Sequence, residues 1–229
     1  MAEVNRGARR YVSPLRQDAA ARTRQAILDA ARELFVAQGY TATTVDEIAG
    51  RAGVSKPTVF AAAGSKQAIL KQLRDVALAG DDEPVPVAQR PWYREALAEP
   101  DPRRAIRLYA RNATAIHRRS ADVHEVLRAA AASDKDLHDL WRASEDERRG
   151  GATIVVDALL QKSRLKQKSR LKPGLDRAAA IDIIWVLTSS DIFWRLVRSR
   201  RWSDAQFESW LGDALCEQLL PPAEPHSGS

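Results

Sequence analysis

Apolar residues recur three and four apart along most of this chain, the spacing of helices with one buried face. Ile27, Leu28, Ala31, Leu34 and Phe35 share one face of a segment from Arg24 to Gln38, which Gly39 and Tyr40 end. Val45, Ile48, Ala49 and Ala52 form a second, shorter stripe, and Val59 and Ala63 a third. Residues 81–91 carry Pro84, Pro86 and Pro91 and read as a connector. Beyond it helical patterns follow one another without strand-like alternation. Asp101-Pro102 opens a helix that continues through Ile106, Tyr109, Ala113 and Ile116. Val123, Val126, Leu127 and Ala130 predict a separate short helix. Leu137, Leu140, Trp141, Ser144, Arg148, Val155 and Leu159 predict a long one, bent at Gly150-Gly151. Residues 181–197 are apolar nearly all round and predict one helix covered on several sides. Ser203 to Leu219 predicts the last helix, with a capping box of Ser203 and Gln206 and a stop at Pro221-Pro222. The pattern is that of an all-α chain.

The local chemistry is richest between Thr43 and Ile69. Thr44 followed three residues later by Glu47 is a capping box that starts a helix. Gly53 stands where the chain turns sharply, and glycine accepts positive φ there. Val54 anchors the turn, and Ser55 is an N-cap for the next helix. Pro57 falls in that helix's first turn, where a missing N–H costs little. Val59 and Ala63 then face inward, and Lys56, Thr58 and Ala61 face out. Gly64 breaks this helix, and Ser65 caps a third. Two short helices across a tight turn are the layout of a helix-turn-helix, which places the start of its second helix in the major groove of DNA.

Residues 22–75 resemble the DNA-binding domain of the TetR family of transcriptional regulators, through Thr44, Ile48, Ala49, Ala52, Gly53, Val54, Ser55, Thr58, Lys66 and Ile69 and through the helix that precedes them. The resemblance implies an N-terminal three-helix helix-turn-helix domain, followed by a C-terminal helical domain for ligand binding and dimerisation. The expected divisions are a basic flexible arm at 1–20, the DNA-binding domain at 21–75, the effector and dimerisation domain at 76–220, and a tail at 221–229. The expected DNA-contacting set is Thr44, Ser55, Lys56, Pro57, Thr58, Phe60, Ala61 and Lys66, with Lys66 at a phosphate. The chain departs from the family pattern where polar or aromatic residues usually read DNA. Phe60 lacks a tyrosine hydroxyl, and Ala61, Ala62 and Ala63 replace side chains that are often aromatic. Lys56 and Thr58 are the main polar readers left. Alanine methyls suit thymine methyls, so shape and phosphate contacts carry more of the expected recognition. The alternative is that these alanines only extend the packing of a small domain.

The resemblance further implies a small-molecule effector and a homodimer on a palindromic operator. Candidates to line an effector pocket are Trp92, Tyr109, Ile116, His117, Leu127, Trp141, Trp185, Thr188, Ser189 and Phe193, which suit an apolar or aromatic ligand; as helical aromatics, several would serve equally as plain core. The two strongly apolar C-terminal helices suit a four-helix interface between two copies, with Ile184, Trp194, Phe207, Trp210, Leu211, Ala214 and Leu215 as its candidates. A monomeric bundle core would use the same pattern.

Composition alters this picture less than its charge suggests. The chain has 229 residues and a formal charge of +6. Lys162, Arg164, Lys166, Lys168, Arg170 and Lys172 match that whole excess, and they belong to a tandem KSRLKQ-KSRLKP repeat expected as a basic loop between helices. Bulk charge is thus weak evidence for nucleic acid. The local evidence is an arm with Arg6, Arg9, Arg10, Arg16, Arg22 and Arg24 against Glu3 and Asp18, beside the helix-turn-helix. Cys216 is the one cysteine, so no intrachain disulfide forms. The charged N-terminus lacks a signal-peptide core, and no apolar run reaches the length of a membrane span. A cytoplasmic protein without membrane partners is expected. Histidines 117, 124, 138 and 226 form no recognised metal spacing, and no phosphate loop or nucleophile motif appears. The expectation is no enzyme, no cofactor, no metal and no catalytic residue. The competing expectation is a helical ligand-binding or interaction protein that has lost operator-specific DNA binding.

Overall fold

The computed structural model describes residues 14–80, 85, 87–166 and 171–222. Among them there are helices and no strands. The chain divides into two compact units, Met1–Leu70 and Lys71–Ser229.

The first unit holds α1 (Pro14–Gln38), α2 (Val45–Ala52), α3 (Lys56–Ala63) and the start of α4 (Lys66–Ala79). α1 packs against both α2 and α3, which also pack against each other. Its apolar face supplies Ile27, Leu28, Ala31, Leu34 and Phe35 to the core. Ile48 and Ala49 from α2 and Val59 and Ala63 from α3 close it, with Ile69 and Leu70 beneath. Each fully buried large side chain contributes about 1.5–3 kcal/mol by leaving water. α1 starts ten residues before Arg24. Residues 14–20, expected in the flexible arm, are therefore helical. The arginines at 6, 9 and 10 lie outside the described residues.

The second unit contains the rest of α4, a 3₁₀ turn at Val87–Gln89, α5 (Pro91–Ala98), α6 (Pro102–Ala130) and α7 (Lys135–Lys166). α8 (Arg177–Leu187), α9 (Ser190–Phe193), a π-helical turn at Trp194–Ser199 and α10 (Asp204–Leu219) complete it. Its core runs from Ile106 and Ala110 of α6 through Val156 and Leu159 of α7 and Ile181 and Ile184 of α8 to Phe207, Leu211, Leu215 and Leu219 of α10. α6 and α10 meet at a pair of small residues, Ala110 and Gly212. A Cβ at Gly212 would lie 3.8 Å from that of Ala110.

Three element boundaries differ from those the pattern predicts. α6 is one helix of 29 residues, not two. Polar positions near its middle look like a break, but His117 and Ser120 are buried and hydrogen-bonded. α7 runs uninterrupted through Gly150 and Gly151. The apolar run 181–197 is not one helix. It stops at Thr188, and Ser189 caps a new start by accepting from the Ile192 N–H at 3.3 Å. Lys162 to Lys166 of the basic repeat lie in α7 and not in a loop; residues 167–170 are outside the described set. After them Leu171 is buried, and the Lys172 N–H donates to the Leu219 carbonyl at 2.8 Å.

Candidate nucleic-acid interface and effector cavity

The α2–turn–α3 segment is built from short-range hydrogen bonds. The Thr44 hydroxyl oxygen accepts from the Glu47 N–H at 3.2 Å, and the Glu47 carboxylate accepts from the Thr44 N–H at 2.7 Å. The Thr44 N–H, its hydroxyl and Gln38 hold the Glu47 carboxyl below its usual range. Gly53 adopts φ 68°, and the Val54 N–H closes the turn on the Ala49 carbonyl at 3.0 Å. At the head of α3 the Ser55 oxygen accepts from the Thr58 N–H, while the two hydroxyls share a 2.7 Å bond. These bonds fix the entry of α3 into whatever faces it.

The outward face of α3 presents Lys56, Pro57, Phe60 and Ala61. Phe60 is 49% exposed, unusual for so large an apolar ring. Lys56 pairs with Asp46 at 2.9 Å on the surface, an exposed pair that yields readily to another anion. Thr58 is half-buried. Lys66 is placed differently from expectation. Its ammonium donates to the carbonyls of Tyr40 at 2.9 Å and Thr43 at 2.8 Å, and sits 4.2 Å from the centre of the Tyr40 ring. The α1–α2 loop has carbonyls that no helix satisfies, and Lys66 supplies their donors. It clamps the loop.

The second unit contains a partly open cavity of about 200 Å³. Trp92, Tyr109, Ile116, His117 and Thr188 of the expected pocket set border it. Tyr93 and Gly151 border it too, joined by a 3.2 Å bond from the Tyr93 hydroxyl to the Gly151 carbonyl. His117 Nε2 lies 3.0 Å from the Thr188 carbonyl, and Ser190 Oγ lies 3.5 Å from Nδ1. Burial, reinforced by Arg148, pushes the His117 pKa down to about 3. The ring is therefore neutral, with Nε2–H donating to Thr188. Burial also raises the pKa of Tyr109 and Tyr93, so both phenols stay protonated. Arg148 donates to the Thr188 carbonyl at 2.8 Å and to the Trp185 carbonyl at 3.2 Å, and grips the Glu145 carboxylate with two further bonds. Burial opposes the ionisation of Glu145, but hydrogen bonds from His124 and Arg148 overcome it and hold the pKa at about 2.

Other expected pocket residues fall elsewhere. Trp141, Trp185 and Ser189 border an adjoining groove of about 230 Å³. Leu127 and Phe193 border neither space. Both are fully buried, and Phe193 stacks between His117 and Phe207. They are core.

The expected dimer residues also separate. Ile184, Phe207, Leu211 and Leu215 are fully buried within the chain itself, so they have no surface to offer a second copy. The apolar face of α10 is its inward one. Trp194, Trp210 and Ala214 remain partly exposed, beside Val186 at 50% exposure.

Comparison with known proteins decides the family. The model described as "Bacterial regulatory proteins, tetR family" matches residues 27–73. The uncharacterized HTH-type transcriptional regulator YdeS of Bacillus subtilis is 30% identical over 179 residues, covering 76% of this chain and 78% of that protein. The chain belongs to the TetR family of transcriptional regulators. SrpR, an HTH-type regulator of Pseudomonas putida, is 55% identical over 38 residues, 17% of this chain and 18% of that one. Solved TetR-like folds agree. NalD of Pseudomonas aeruginosa, the secondary repressor of the MexAB-OprM efflux pump, aligns with a TM-score of 0.61 at 19% identity over 89% of this chain and 99% of that one. FadR of Bacillus subtilis, solved with stearoyl-CoA, aligns at 0.61 and 18% identity over 83% and 96%.

In this TetR-family chain the α2–turn–α3 segment is the DNA-binding element. Residue-level reading missed part of the cavity wall: Arg74, Asn112, Glu147 and Arg148 all border it. Arg74 carried a legible signal. It lies on the apolar stripe of α4, between Leu70 and Ala77, where a charge is costly without a purpose.

Proposed function

We propose that this regulator is a ligand-responsive repressor that binds a palindromic operator as a dimer and is released by a small apolar or aromatic effector. The partly open cavity of about 200 Å³, walled by Trp92, Tyr93 and Tyr109, carries the ligand part of this reading. Sites of this kind, apolar with a few placed polar groups, are where small molecules bind. FadR of Bacillus subtilis, with its bound stearoyl-CoA, lends the reading support. NalD, a repressor by its description, supports the sign of regulation.

On the DNA side, Lys56, Pro57, Thr58, Phe60 and Ala61 meet the groove, with Thr44 and Ser55 at the flanking backbone. One helix of eight residues reads only a few base pairs. Two copies about 34–36 Å apart read a palindrome through successive major grooves, and the exposed parts of α8 and α10 supply the dimer surface. The effector favours conformations of low DNA affinity, and DNA weakens effector binding by the same factor. Such a protein works in the cytoplasm beside the DNA, and no catalytic role is assigned to it.

One observation favours a second reading, a ligand-binding protein without operator specificity. The polar groups of the reading face are engaged: Lys56 with Asp46, and the Thr58 hydroxyl with Ser55. Selection of the purified protein against a random duplex library separates the two. Enrichment of an inverted repeat supports the repressor. A protein that binds small molecules but enriches no sequence supports the second reading.

A further inference from the structure

The cavity has an unusual wall residue. Arg74 is 7% exposed, yet it carries a full charge. Its Nη1 donates to Asp75 at 2.9 Å, and its Nη2 donates to Glu147. Among the described residues, no acceptor reaches its Nε–H, and that atom is buried. An unmade hydrogen bond at a buried donor costs about 1–3 kcal/mol, more at a charged group. Such a group calls for a partner from outside the chain.

Several other donors of the cavity wall are already committed. Arg148 spends its bonds on Glu145 and two carbonyls. Neutral His117 bonds Thr188, and the Asn112 amide donates to the Trp92 carbonyl at 2.9 Å. Ser120 and Ser144 donate back to Ile116 and Leu140 within their own helices. Arg74 thus offers the distinctive anchor. Its Nε and one Nη form a side-on fork that a carboxylate spans with two parallel bonds. Glu147 fills only the Nη2 half. It is also 61% exposed along its side chain, so turning it to water costs little.

Size and lining narrow the occupant further. A dry cavity of about 150 Å³ admits benzene. About 200 Å³ therefore suits one ring with a carboxyl and a small substituent. Trp92, Tyr93, Tyr109 and Ile116 provide surfaces for the ring.

We propose that the effector is a monocyclic aromatic carboxylic acid whose carboxylate displaces Glu147 from Arg74. This rests on the reading of the cavity as the effector site. The test is calorimetric titration of the full-length protein with benzoate, benzamide and benzylamine, and with ring-substituted members of each series. Acids should bind at least about tenfold more tightly than the matching amides, the effect of one charge-assisted hydrogen bond. Arg74→Gln should erase that preference. Glu147→Gln, at an exposed position that spares the fold, should tighten acid binding by removing the competitor. If amides or amines bind as well as acids and Glu147→Gln changes nothing, the acid is the wrong class and the cavity reading survives. If no series binds, the cavity reading falls with it.

Discussion

Lys66 shows how a single charge serves the fold. Its ammonium bonds two loop carbonyls and covers the Tyr40 ring. Lys66→Ala removes a charged donor from each of the Tyr40 and Thr43 carbonyls, and should destabilise the DNA-reading unit by about 1.5–3 kcal/mol. Urea unfolding with amide exchange in α1–α3 measures this. An unchanged midpoint, with a shallower dependence of DNA affinity on salt, would return Lys66 to the phosphates. His117 gives a second prediction at this scale. Its folded pKa is about 3 against 6.5 for the free group. Between those values the unfolded chain binds a proton that the folded chain refuses. The stability tied to His117 is thus complete above about pH 6.5 and drains away as pH falls towards 3, at no more than about 1.4 kcal/mol per pH unit. Glu145 adds a later loss, from 4.5 down to about 2. His117→Gln should remove the loss that begins near pH 6.5 and leave the one below 4.5. Chemical denaturation across that range reads both.

The elements were legible where a local rule dictates them. Thr44, Gly53 and Ser55 each act through bonds within a few residues, so α2 and α3 could be read almost to the residue. Errors arose where tertiary partners override the local pattern. His117 and Ser120 look like a break in α6 because their partners lie on another helix or within the turn before. The 181–197 run hides its break because Thr188 and Ser189 are satisfied by Arg148 and a new cap. Periodicity finds a helix's apolar face but not what that face meets. Phe207, Leu211 and Leu215 have a pattern that suits an interface or a core equally, and they belong to the chain's own core. The dimer proposed for this regulator uses the partly exposed residues of α8 and α10 instead. Ala214→Arg and Trp210→Asp should each shift the mass in solution from dimer towards monomer. Ala214→Arg leaves the Trp202–Phe207–Trp210 cluster intact, so its monomer stays folded. A dimer of unchanged mass in both variants would move the interface elsewhere.

For the whole molecule, net charge proved a poor guide and local geometry a good one. The basic repeat that equals the formal excess lies far along the chain from α2 and α3. What the reading helix offers is an exposed Phe60, two outward small residues and one lysine that a phosphate can take from Asp46. On the proposed reading, affinity rests on phosphates and shape, doubled by symmetry. The most direct test is equilibrium binding of the purified protein to the duplex it enriches, followed by anisotropy at several salt concentrations. A repressor of the proposed kind saturates at two protomers per inverted repeat, weakens steeply with salt, and prefers that repeat over a scrambled duplex. Equal affinity for the repeat and the scrambled duplex at every salt concentration would contradict it.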